Sequence, residues 1–183
     1  MQQGGHRFVA AATRFALACT ALLALPQFFP DLGVHLPVFG AYIAVSAIFQ
    51  VLIWKDIGGD ARALLSGLVD IAMVTFIVHS VGSLPAMLVA AYFFAAVVNT
   101  LVVGRRVGLA LAVAGALGYG GLLLAEGLEL LPFAPDAFSY GSSTRPSFAE
   151  SLGAAITMGV MQIGASFLFQ DETALDLAMK LAR

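Results

Sequence analysis

From Leu64 to Arg106 the sequence reads as one apolar hairpin interrupted by a single carboxylate, and that carboxylate constrains everything around it. The first arm, about 19 residues from Leu64 to Gly82, carries Asp70 and His79. The second, Leu84 to Val103, has no charge and ends on Gly104-Arg105-Arg106. At about 1.5 Å per helical residue, either arm crosses a hydrocarbon layer about 30 Å thick. A charge inside such a layer is costly, so Asp70 needs a partner, a proton or a use.

The rest of the chain is of the same kind. Hydrophobic residues make up 60% and charged ones 11%, with a mean hydropathy of +0.93, far from a soluble domain. Six apolar spans are expected, at Phe8–Phe29, Pro37–Trp54, Leu64–Gly82, Leu84–Val103, Val107–Ala125 and Ser151–Phe169. The expected fold is therefore an all-α, polytopic six-helix membrane bundle. The first span follows Arg7 and Arg14 as a signal peptide would, but it lacks a small-residue cleavage site and reads as a retained helix. A net charge of -2 leaves no basic footprint for nucleic acid. The lone Cys19 excludes an intramolecular disulfide and a cysteine metal cluster, and no cofactor motif is present.

The cations set the orientation. With the N-terminus inside, only Arg145 of the nine Lys and Arg falls on the outer side. Both termini are then cytoplasmic, in a bacterial inner membrane. Residues 1–170 form the membrane domain. Residues 171–183 continue the last span as a cytoplasmic helical connector, with Leu168, Leu175 and Ala182 at seven-residue spacing. The long loop from Glu126 to Glu150 is external, aromatic in its first half and rich in Gly, Ser, Thr and Pro in its second.

Small residues mark the expected packing faces. Gly104 and Gly108 lie at i,i+4, and Gly108, Ala112 and Gly115 continue as a stripe on the fifth span. Gly153, Thr157 and Gly164 form the corresponding stripe on the sixth. In lipid such stripes let helix backbones approach closely.

Four polar side chains fall at one depth. By helical rise, Asp70 lies about 12 Å in from Arg62, Arg14 about 10 Å from Arg7, Asn99 about 9 Å from Arg105 and Gln50 about 8 Å from Lys55. An Asp70–Arg14 ion pair supported by Asn99 and Gln50 is one solution. In the other, Arg14 snorkels to the interface and Asp70 relies on Asn99 or a proton. Asp70 is accordingly expected to matter more to folding than His79. The two are nine residues apart, on opposite helix faces, and form no catalytic pair. His35, His79, Tyr92 and Tyr119 are candidates for sensing at the outer face, with His35 and His79 as a conceivable metal or pH site and a plain interfacial histidine as the simpler role. No nucleophile–base constellation, phosphate loop or metal-ligand spacing is present, so no enzyme is expected.

The stretch from Leu68 to Ala125 resembles the N-terminal membrane input region of bacterial sensor histidine kinases, of the type IV pilus sensor kind. The likeness rests on Val69-Asp70, on His79-Ser-Val-Gly-Ser, and on the run from Phe94 into Gly104-Arg105-Arg106. It also rests on Gly127-Leu-Glu-Leu-Leu-Pro-Phe-Ala-Pro, followed by a last span and a polar helix. The resemblance implies a signal-input domain, with a homodimer or a kinase partner reached through the C-terminal helix. No histidine follows His79, so phosphoacceptor activity is not implied for this chain. The competing expectation is a small transport protein, such as the substrate-binding membrane subunit of an energy-coupling vitamin importer. A scaffold without a ligand is the third.

Overall fold

A computed structural model describes residues 35–81, 104–131 and 147–168, together with Ala12, Phe15, Ala16, Cys19, Thr20, Leu23, Ala24, Gln27 and Tyr92. Each of the isolated positions is helical. Four helices are delimited: α1 Leu36–Trp54, α2 Gly59–Val81, α3 Arg105–Gly127 and α4 Phe148–Leu168. No strand occurs among the described residues. Three segments, Leu36–Trp54, Gly59–Ser80 and Arg106–Gly127, are long and apolar enough to cross a membrane. The connector 171–183 lies outside the described residues, as do the first and fourth expected spans apart from the isolated positions.

Local chemistry explains why the helices run past the expected span limits. α1 opens with a proline in its first turn, where the missing N–H is harmless. It closes in a Schellman turn, with Asp56 N–H on Ile53 O at 3.1 Å and Ile57 N–H on Leu52 O at 2.9 Å. Asp56 takes the left-handed position at φ 53°, and Gly58 follows at φ 91°. Arg62 then reaches back from α2 and donates to Leu52 O and Ile57 O at 3.1 and 2.9 Å. The charged turn Asp60-Ala61-Arg62 thus belongs to α2, whose start is Gly59 and not Leu64. Asp60 sits in the first turn, where the helix dipole favours it.

α3 ends in the same motif. Glu129 N–H bonds Glu126 O at 3.2 Å and Leu130 N–H bonds Ala125 O at 2.8 Å, with Glu129 at φ 61°. This turn carries the helix on to Gly127 and brings Glu126 inside it. α4 begins with a capping box, in which Ser147 N–H and Oγ–H both donate to Glu150 Oε2 at 2.8 Å.

Contacts between helices fix their directions. Tyr42 meets Asp70 and Leu52 meets Arg62, so α1 and α2 are antiparallel. Gly67 lies against Leu111, and Gly118 against Ile71 and Thr75, while His79 meets Glu126; α2 and α3 are therefore parallel. Gly120 faces Ala155 and Ala116 faces Gly159, which makes α3 and α4 antiparallel. The end of α2 and the start of α3 consequently lie at opposite ends of the bundle.

α3 is the central helix. Half of its span is buried, against 22% for α2 and 6% for α1. Ile71, Val78, Tyr92, Val107, Leu111, Tyr119, Leu122 and Leu123 form the core between α2 and α3. On the fifth span the expected stripe of Gly108, Ala112 and Gly115 is buried. Gly104, at φ 118°, serves the turn before α3, and no described residue lies within 4 Å of where its Cβ would stand. On the sixth span the packing face differs from the expected one. Ser151, Ala155, Gly159 and Gln162 face α3, whereas Gly153 and Thr157 are exposed and no described side chain approaches Gly164. A two-residue offset is about 200° of helical phase, enough to turn one stripe outward when the other faces in.

Candidate functional site

Polar side chains gather at two places inside the apolar bundle, one on each side of α2. The first is a seam between α1 and α2. Tyr42, Ser46 and Gln50 recur every four residues on α1, and Ser66 and Asp70 do so on α2, so each set forms a stripe along one face. All five line one small cleft of about 20 Å³, together with Phe15, Phe49 and Ile53. Tyr42 Oη–H donates to Asp70 Oδ1 at 2.8 Å. Ser66 is buried at 6% exposure. Gln50 Nε2 is buried there with no hydrogen-bond partner.

The second cluster lies between α2 and α3. Glu126 is fully buried, and its Oε1 accepts from His79 Nδ1 at 2.7 Å. The imidazole remains partly open, at 27% exposure. Two helical turns before Glu126, Tyr119 is buried on the same face and packs at 5.5 Å from the Tyr92 ring. Tyr92 Oη–H donates to Thr75 Oγ1 at 2.6 Å, and Thr75 Oγ1–H donates in turn to Ile71 O at 2.8 Å. Two buried side chains of α4 border the same region. A Cβ on Gly115 would stand 3.0 Å from Gln162 Oε1 and 3.5 Å from the Tyr92 ring, and one on Gly127 would stand 3.1 Å from Ser151 Oγ. Ser151 Oγ is buried without a partner.

The candidate residues divide between these clusters. Gln50 and Asp70 share the α1–α2 cleft. Arg14 and Asn99, the other members of the expected layer, lie outside the described residues. His79, Tyr92 and Tyr119 belong to the α2–α3 cluster. His35 does not join them by any hydrogen bond; its ring packs edge-on against Phe76 at 5.0 Å. No group of three metal-ligating side chains occurs among the described residues. Asp70 and His79 are turned to different neighbours, Asp70 to α1 and His79 to α3.

Several participants escape a reading of the sequence. Tyr42, Ser46 and Ser66 look ordinary singly; their four-residue spacing opposite a membrane carboxylate is the signal that finds them. Glu126 looks like the start of a loop, because only the Schellman turn shows that the helix encloses it. Comparison with protein-family models, with curated proteins and with solved structures finds no match for the chain.

Proposed function

We propose that this chain is the membrane-embedded signal-input region of a two-component sensor histidine kinase, and that its output is a movement of α1 against the rest of the bundle. The observation that carries this reading is the contrast in packing. α1 is 6% buried and meets α2 across a polar cleft, while α3 is half buried. A switch needs one element whose two positions differ little in free energy, beside others that hold still.

The proposed topology has six spans with both termini in the cytoplasm of a bacterial cell. Two observations support it. Only one of nine Lys and Arg falls on the outer side in that arrangement. Parallel α2 and α3 require residues 82–103 to return across the whole bundle, and that stretch is long enough for about 30 Å. In this proposal residues 171–183 carry the movement to a kinase partner, and dimerisation occurs through the same segment.

The test is a fusion of Met1–Arg183 to the catalytic half of a histidine kinase, with one to seven residues inserted at the join. Output is expected to vary with helical phase, at a period near seven residues or two turns. Asp70→Asn is expected to lock the output at one level. Indifference to both changes, or solute uptake by vesicles containing the chain alone, would overturn the proposal.

A further inference from the structure

The turn from α1 into α2 exposes two apolar side chains in a stretch that is otherwise polar. Trp54 ends α1 at 74% exposure and Ile57 stands in the turn at 50%, among Lys55, Asp56, Gly58, Gly59 and Asp60. The backbone that carries them is fastened. Ile57 N–H is held by Leu52 O at 2.9 Å, and the Arg62 guanidinium holds the carbonyls of Leu52 and Ile57. At Gly58, with φ 91°, a Cβ would stand 2.9 Å from the Arg62 Cβ, so the turn needs its glycine twice over.

The charges around this turn indicate what it meets. All the described Lys and Arg, namely Lys55, Arg62, Arg105 and Arg106, lie at this end, because α2 and α3 are parallel and both begin here. Asp56 and Asp60 are the carboxylates beside them, while Glu126, Glu129 and Glu150 lie at the opposite end. Lys55 and Arg106 are exposed and enter no ion pair among the described residues. An apolar span that ends on an exposed tryptophan, followed at once by a free cation, fits the boundary between acyl chains and phosphates. An indole satisfies both sides of that boundary, with an apolar body and a polar N–H. A cationic end is in turn attracted to anionic lipid.

We propose that the α1–α2 turn is a lipid-contact site, in which Trp54 and Ile57 enter the boundary between acyl chains and headgroups while Lys55 and Arg106 gather anionic phospholipid at this end of the bundle. With 6% of its span buried, α1 then takes its depth in the membrane from lipid as well as from its neighbours. The proposal rests on the chain being membrane-spanning and is independent of the sensor reading.

Trp54 is the only tryptophan of the chain, so its fluorescence reads the site without a label. The full chain is reconstituted in phosphatidylcholine vesicles containing lipid brominated near the headgroup, at mid-chain or at the chain end. Quenching is expected to be strongest for the shallow bromine and to fall toward the chain end, with acrylamide in the water reaching the ring only in part. At equal mole fraction, shallow-brominated phosphatidylglycerol is expected to quench about twofold more than the matching phosphatidylcholine, a preference that fades at high salt. Lys55→Gln/Arg106→Gln is expected to lose the preference and keep the depth profile. Trp54→Phe/Ile57→Trp moves the ring into the turn and is expected to show the same shallow profile; loss of lipid quenching there would overturn the place given to Ile57. Strongest quenching by chain-end bromine overturns the proposal, as does full quenching by acrylamide with none by lipid. Equal quenching by the two lipid classes overturns it as well. Protection from acrylamide and from every brominated lipid also overturns it, and is the result expected if another segment of the chain lies over Trp54. A chain that fails to float with the vesicles overturns the membrane reading itself.

Discussion

α3 and α4 meet through small side chains and a buried amide, whereas α1 and α2 meet through a few aromatic rings and a polar cleft. Between α3 and α4, Ala116, Gly120, Ala155 and Gly159 bring the backbones close. Gln162 is fully buried where Gly115 leaves room for it. In lipid the helices have no hydrophobic reason to associate, so this fit of surfaces holds them together. The α1–α2 contact buries less of its helix, 6% of the α1 span against half of α3. Leu36, Val38, Val45, Ile48, Val51 and Trp54 are exposed, and α1 is tied inward by the buried Phe39, whose ring stands edge-on to Phe76, by Tyr42 on Asp70 and by the Arg62-capped turn. The same chain thus builds a closely packed body from shape and a looser edge that leans on polarity.

The largest expected effect comes from the body. His79→Ala removes one partner of a fully buried carboxylate and is expected to cost about 3 kcal/mol, the low end for a broken buried pair because the imidazole is 27% exposed. The double variant His79→Ala/Glu126→Gln is expected to regain part of that loss, since the buried carboxylate that His79 faces is then replaced by a neutral amide. Unfolding of the three proteins in detergent measures it. A double variant no more stable than His79→Ala would mean that the pair is not what the site depends on.

Glu126, the buried neighbour that gives His79 this weight, shows what a sequence can and cannot carry. The apolar runs that became α1, α2 and α3, their rough limits and the presence of Asp70 and Gln50 within them were legible, because hydropathy and helical rise are local properties. Glu126 was legible only as a residue near a span end. Its burial depends on a turn in which Glu129 adopts a left-handed conformation usually left to glycine. The face that α4 presents to α3 was not legible either. Two small-residue stripes lie two positions apart on that helix, and only the buried Gln162 and Ser151 decide between them. Tyr42 as the partner of Asp70 joins residues on separate helices, which no local pattern specifies.

A glycine pair separates the two regions more finely. At Gly67 a methyl group would overlap the Leu111 side chain, which is 1% exposed and has nowhere to go. Gly67→Ala is expected to destabilise by about 1–3 kcal/mol. Gly40, on the exposed side of α1, has nothing within 4 Å of the same methyl. Gly40→Ala is expected to be neutral, or to stabilise by up to about 1 kcal/mol through helix propensity alone. Equal losses in the two variants would show that α1 is as tightly held as α2.

At the edge itself, Tyr42→Phe removes one hydrogen bond to a partly buried carboxylate. The expected cost is about 1.5 kcal/mol, the lower end for a bond to a charged group. Its more telling effect is on motion. Hydrogen exchange in α1 is expected to quicken while exchange in α3 and α4 stays unchanged. Uniform quickening throughout would place Tyr42 in the body of the protein and erase the distinction between edge and core.

The smallest expected effect concerns how the tightly packed side is fastened at its end. The Ser147 N–H and then its hydroxyl hold the Glu150 carboxyl below its ordinary value of 4.5. A carboxyl depressed on folding adds stability above its unfolded value, and that stability is lost as pH falls through the lower folded one. The first turn of α4 is therefore expected to fray below pH 4.5, with no change between neutral pH and the ordinary carboxylate range. Because Glu150 is on the exposed end of the helix, the loss is confined to that turn and leaves the contacts of Ala155 and Gly159 with α3 in place. Carbon-detected titration of Glu150 reads its midpoint directly. Ser147→Ala is expected to raise that midpoint part of the way toward the ordinary value, since the backbone N–H still donates. A midpoint already at the ordinary value in the wild type would remove the capping box, and with it the reason α4 starts at Phe148 and not at Ser151.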